Sequence, residues 1–120
     1  MDLKEFQKEV HQVAIDHGWW ETERNIAEQI ALMHSELSEA LEEWRTGRDI
    51  TSTYFAEVQD SSVDSGKKFL KPEGFSVELA DCIIRILDTA ESYGIDLSSV
   101  LIAKNEYNKT RSYKHGGKIA

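Results

Sequence analysis

The stretch from Glu78 to Asp88, Glu-Leu-Ala-Asp-Cys-Ile-Ile-Arg-Ile-Leu-Asp, most restricts what this chain can fold into. It is too apolar for a surface helix, yet it carries acids every three or four residues. On a helical wheel at about 100° per residue, Phe75, Leu79, Cys82, Ile83, Ile86, Ala90 and Tyr93 form one broad apolar stripe. Val77 and Ile84 form a second line on the opposite side, and Glu78, Asp81, Arg85 and Asp88 occupy a seam between the two. A helix apolar on two faces is buried on both. Carboxylates keep their charge in such a place only beside a cation. Arg85 can neutralise one of these acids but not all of them, and a metal ion answers for the rest.

A second helix supplies matching acids. It is expected from Asn25 to Arg45, with Asn25 and Glu28 as a capping box and Gly47 as its stop. Ile26, Ile30, Met33, Leu37, Leu41 and Trp44 form its core stripe, and Glu36, Glu39 and Glu43 lie off that stripe at i, i+3 and i+7. Like charges at this spacing cost about 0.2–0.5 kcal/mol per pair. A solvated acidic face is the competing explanation on this helix alone. It loses ground beside the pair Glu78 and Asp81, because two antiparallel helices bring four carboxylates to one point. Oxygen ligands without histidine or thiolate suit magnesium, with manganese as a substitute, rather than zinc.

The rest of the chain frames these two helices. A first helix is expected over Leu3–His17, with Phe6, Val10, Val13 and Ala14 inward and Gly18 at its end. Trp19 and Trp20 then either plug an end of the fold or form an aromatic wall for a flat ligand such as a base. Residues 48–71 are polar and irregular, with room for a short hairpin between Ile50–Val58 and Lys68–Leu70 around a turn at Asp64-Ser65-Gly66. Pro72, the only proline, is expected to end what precedes it, and Lys71–Gly74 to hinge into the third helix. Asp96 caps a fourth helix from Leu97, apolar at Val100 and Leu101 and then polar at Lys104, Asn108 and Arg111. Such a face builds a pocket wall ending in an anion site, where Lys104, Asn108 and Arg111 clamp a polyphosphate. The basic tail Arg111–Lys118 continues the positive charge, which the helix dipole alone also favours. The reading is all-α: one domain over residues 1–120, built as a four- to five-helix bundle.

Composition narrows the partners. A net charge of −8 argues against non-specific binding to nucleic acid or to an anionic membrane. The single cysteine, Cys82, excludes a disulfide within the chain and is expected to pack rather than react. With neither a signal-peptide pattern at Met1–Glu5 nor an apolar run of spanning length, a cytoplasmic setting is expected.

The motifs Glu36-x-x-Glu39 and Glu78-x-x-Asp81, followed by Lys104-x-x-x-Asn108-x-x-Arg111, resemble the signature of the MazG-like, all-α nucleoside triphosphate pyrophosphohydrolases. The flanking Ser35–Ala40 and Glu73–Asp81 agree, and the resemblance runs from Gly18 to Lys118. It implies hydrolysis of a nucleoside triphosphate between the α and β phosphates, giving a monophosphate and pyrophosphate. It also implies magnesium held by Glu36, Glu39, Glu78 and Asp81, and a homodimer or dimer of dimers that shares its sites. The Val77 and Ile84 line gives a separate reason to expect such an interface. Two features depart from the pattern: a longer gap between the acid pairs, and Ser35 where some members have a second glutamate. The general base is therefore expected to be Glu39, with Glu43 in reserve. Trp19, Trp20 and His34 are candidates for the base end, although His34 reads more readily as a satisfied core histidine. The alternatives are a phosphoribosyl-nucleotide or dinucleotide substrate, or a non-catalytic oligomeric helical module whose acids pair with Arg85 and Lys104. A di-iron bundle is disfavoured because neither acid pair contains the usual histidine.

Overall fold

A computed structural model of the chain describes residues 1–59 and 68–111. The basic tail after Arg111 and the turn at 61–66 lie outside the described residues. The order of elements is α1 (Leu3–Asp16), α2 (Ile26–Arg45), β1 (Tyr54–Gln59), β2 (Lys68–Glu73), α3 (Phe75–Ser92) and α4 (Leu97–Thr110). The chain is thus mostly helical, with one two-stranded sheet. No helix among the described residues is long and apolar enough to cross a membrane. The residues gather into two compact units, one holding α1, α3 from Leu87 and α4, the other holding α2, the hairpin and α3 up to Ile86.

In the first unit, Asp2 caps α1 by accepting from the backbone N–H groups of Lys4 and Glu5. The Gln7 amide donates to the Glu91 carboxylate at 3.0 Å and to the Ile95 carbonyl at 2.9 Å, so the inward face of α1 carries a polar residue beside Val10. His11 Nδ1 lies 2.7 Å from Asp88, which removes Asp88 from the acidic seam expected along α3. Leu87, only 1% exposed, is the most deeply buried large side chain, although it lay outside the expected stripe. Asp96 caps α4 by accepting from Ser99, and no residue of α4 is buried.

In the second unit, Asn25 caps α2 as expected, accepting from the Glu28 N–H at 2.8 Å. The inward face of α2 differs from the expected stripe. Gln29, Glu36 and Ala40 are buried, whereas Ile26, Ile30, Leu37, Leu41 and Trp44 are each 44–59% exposed. At 100° per residue the inward face is turned by about 80° from the apolar one. On this inward face Glu36 meets Arg85, which donates to it at 2.8 Å. Cys82 is buried and its Sγ donates to the Met33 carbonyl at 3.5 Å, a packing contact between α3 and α2.

The hairpin pairs Tyr54 with Glu73 through to Gln59 with Lys68. The second strand is longer than expected, because Pro72 pairs opposite Phe55 instead of ending it. In a two-stranded sheet each strand keeps a free edge, where a missing N–H goes unused. Gly74 then turns the chain into α3 at φ +131°, and an added Cβ would meet the Ser52 carbonyl at 2.8 Å. Only glycine fits there. That turn delivers Glu78, one helical turn later, with its backbone N–H bonded to the Gly74 carbonyl.

Candidate metal centre

Glu36 from α2 and Glu78 and Asp81 from α3 converge so that one carboxylate oxygen of each lies within 4.8 Å of the others. The i, i+3 spacing puts Glu78 and Asp81 on one flank of α3. Arg85, one turn further, donates from Nε to Glu36 at 2.8 Å. That is a short charge-assisted bond, and the same guanidinium charge also favours ionised Asp81. Glu39, one turn beyond Glu36, is exposed but lies within hydrogen-bonding reach of Glu78.

The electrostatics show an excess of acid. The Glu78 carboxyl is pushed up to about 8, first by burial, then by hydrogen bonding with Glu39 and Glu36 and by repulsion from Glu39 and Asp81. Asp81 is also raised, by burial and then by the Glu36 charge, against the lowering pull of Arg85 and Lys71. Glu78 Oε2 is buried and accepts no hydrogen bond. A buried carboxyl oxygen without a partner costs about 1–3 kcal/mol. Ligand oxygens at about 2.1 Å from magnesium stand roughly 3–4 Å apart, so the spacing of the triad is close to what a hard divalent cation requires. The donor set fits magnesium or manganese.

Beside the cluster is a cavity of about 390 Å³ lined by Glu39, Glu42, Glu43, Thr46, Arg48, Tyr54 and Glu78. Glu43 is held from two directions. Tyr54 donates its hydroxyl to Oε1 at 2.7 Å, and Arg48 Nε stands 3.6 Å from Oε2. The Arg48 guanidinium lies over the Tyr54 ring, 4.2 Å from its centroid.

Of the residues expected at the site, Glu36, Glu78 and Asp81 come together, Glu39 adjoins them, and Glu43 lines the neighbouring cavity. Lys104, Asn108, Arg111 and Trp19 belong to the other compact unit. Arg111 does not continue the α4 face, since it is the C-cap residue in extended conformation, with its N–H bonded to the Asn108 carbonyl. Lys104 and Arg111 both lie over the Tyr107 ring, at 4.8 and 5.7 Å. Trp20 is partly buried and His34 is exposed, and neither lines the cavity. The exposure of His34 rules out its reading as a core histidine. Sequence reasoning missed Arg48 and Tyr54, whose only signal was an arginine directly after the Gly47 helix stop and an aromatic residue opening the following strand.

Compared with known protein families, with curated proteins and with solved structures, the chain matches none.

Proposed function

We propose that this chain is a magnesium-dependent hydrolase that cuts a nucleoside triphosphate between its α and β phosphates, releasing pyrophosphate. The observation that carries this reading is the unbalanced acid cluster. Glu36, Glu78 and Asp81 converge, Arg85 pairs with one of them, and Glu78 keeps a buried oxygen without a partner. The order and spacing of the motifs, which resemble the MazG-like family, supply the reaction type. Glu36, Glu78, Asp81 and Glu39 hold the ion. Bound magnesium supplies charge neutralisation and a water of lowered pKa. Glu39, exposed on the cavity wall, accepts the proton of the attacking water. Lys104, Asn108 and Arg111 hold the phosphates as the motif implies.

The same reading takes the protein to be an all-α bundle in a cytoplasmic homodimer or dimer of dimers. In support, α4 buries none of its residues, and the exposed apolar line on α2 matches what a second copy would cover. A second reading, a non-catalytic helical module, draws on the Arg85–Glu36 pair, which neutralises one acid without a metal.

Pyrophosphate release from a panel of ribo- and deoxynucleoside triphosphates with magnesium tests the proposal. Glu39→Gln and Asp81→Asn are each expected to cut the rate about 10²–10⁴-fold. Metal binding without cleavage would move the substrate to a phosphoribosyl-nucleotide or dinucleotide. Absence of both cleavage and metal binding would leave the structural module.

A further inference from the structure

We propose that Arg48 is a phosphate-binding residue, its guanidinium laid over Tyr54 and steered by Glu43 to form an anion subsite in the cavity that Glu39 and Glu78 also line. The inference takes from the pyrophosphohydrolase reading only the identity of the anion, the diphosphate end of a nucleotide.

Arg48 is the one cation among the cavity-lining residues, all the other charges there being carboxylates. Its side chain is 54% exposed, which rules out a core structural role. Among the described residues its guanidinium makes no hydrogen bond. The nearest carboxylate oxygen, on Glu43, stands 3.6 Å from Nε, beyond the 2.7–2.9 Å typical of a charge-assisted bond. That distance orients the group without saturating it. The flat stack on Tyr54 at 4.2 Å fixes its plane, at a separation where a cation over an aromatic face is attracted. A planar fork held at one edge and on one face keeps its terminal nitrogens for a ligand, and forked donors match phosphate oxygens two at a time.

The supports of Arg48 are themselves fixed. Glu43 Oε1 accepts from the Tyr54 hydroxyl at 2.7 Å, and Oε2 is buried without a hydrogen bond. Glu43 is thereby committed to holding Tyr54 and Arg48, and acts as a positioning residue rather than the base. The Tyr54 phenol is raised by its bond to Glu43, so it remains a donor at neutral pH. Gly47 at φ +84° turns the chain out of α2 immediately before Arg48. An arginine in so acidic a cavity serves an anion once a divalent ion has offset the neighbouring carboxylates, and the diphosphate end of a nucleotide is such an anion.

Calorimetric titration of the full chain with inorganic pyrophosphate in the presence of magnesium tests this without requiring turnover. Arg48→Gln is expected to weaken pyrophosphate binding about 10- to 100-fold. Arg48→Lys, which keeps the charge but loses the fork and the stack, should fall between the two. Tyr54→Phe, which keeps the ring, should bind more tightly than Tyr54→Leu. Equal binding by Arg48→Gln and wild type would overturn the subsite, as would wild type that binds no pyrophosphate, whether or not triphosphates are cut. Pyrophosphate bound through Arg48 by a protein that cleaves no triphosphate would sustain the subsite and sink the proposed reaction.

Discussion

Binding of magnesium or manganese at pH 7 should expel a proton, and the proton should come from Glu78. With its carboxyl pushed up to about 8, Glu78 is roughly nine-tenths protonated at pH 7, so each ion bound there releases close to one proton. The apparent affinity for metal should fall about tenfold for each pH unit below 8, or about 1.4 kcal/mol per unit. Titration with manganese in two buffers of different ionisation enthalpy reads the proton count directly. It should approach zero above pH 9, and Glu78→Gln should remove it. The same group predicts the stability of the metal-free protein. The folded state holds the proton more tightly than the unfolded chain, whose value is near the ordinary 4.5. The favourable contribution is therefore complete below about pH 4.5 and is lost as pH rises through 8. Asp81, raised for similar reasons, adds in the same direction. Glu78→Gln should accordingly raise the melting temperature of the metal-free protein above pH 8. Affinity that stays constant from pH 6 to 8, with no proton released at pH 7, would refute the reasoning.

Two further outcomes follow from the same geometry. Arg85→Leu leaves Glu36, whose side chain is 9% exposed, without its counter-charge. Denaturant unfolding should show a loss of about 2–4 kcal/mol, shrinking when magnesium saturates the site, and a loss unchanged by magnesium would count against Glu36 as a ligand. Leu37→Glu combined with Leu41→Glu charges the exposed apolar line of α2, and sedimentation equilibrium should show the assembly reduced in mass; a wild type that already sediments as a monomer would end the oligomer proposal.

Much of this was legible in the sequence because it depends on local periodicity. Asn25 and Asp96 mark helix starts by side-chain capping, and both accept the expected backbone N–H. The i, i+3 spacing on α3 puts Glu78 and Asp81 together and Glu36 of α2 joins them, while Glu39, the fourth acid expected, lies outside the triad. What escaped depends on pairing across distance. The inward direction of α2 was assigned from hydrophobicity, whereas the side that faces inward carries Glu36, paired with Arg85 across to α3. Asp88 looks like its neighbours in the seam until His11 claims it. Arg48 and Tyr54 lie in a polar, aperiodic stretch and meet at Glu43, near the end of α2. The extent of β2 through Pro72 depends on the sheet having two strands among the described residues, which no local rule reveals.

The turn of α2 has a consequence for how site and assembly are related. A helix that faces inward with Gln29, Glu36 and Ala40 while exposing Ile26, Ile30, Leu37, Leu41 and Trp44 is rotated by roughly a quarter turn from the usual amphipathic arrangement. Two rotations compete for it. Turning the apolar line inward would bury more hydrocarbon, at about 25 cal/mol per Å², but would carry Glu36 away from Arg85 and dissolve the acid triad. Facing the acids inward keeps the triad and leaves the hydrocarbon for another surface to cover. If a second copy covers that line, the apolar burial forgone within one chain is recovered between chains, and the rotation that forms the metal centre becomes the rotation the assembly stabilises. Variants that weaken the apolar line should then reduce metal affinity as well as association, although none of its residues belongs to the acid triad.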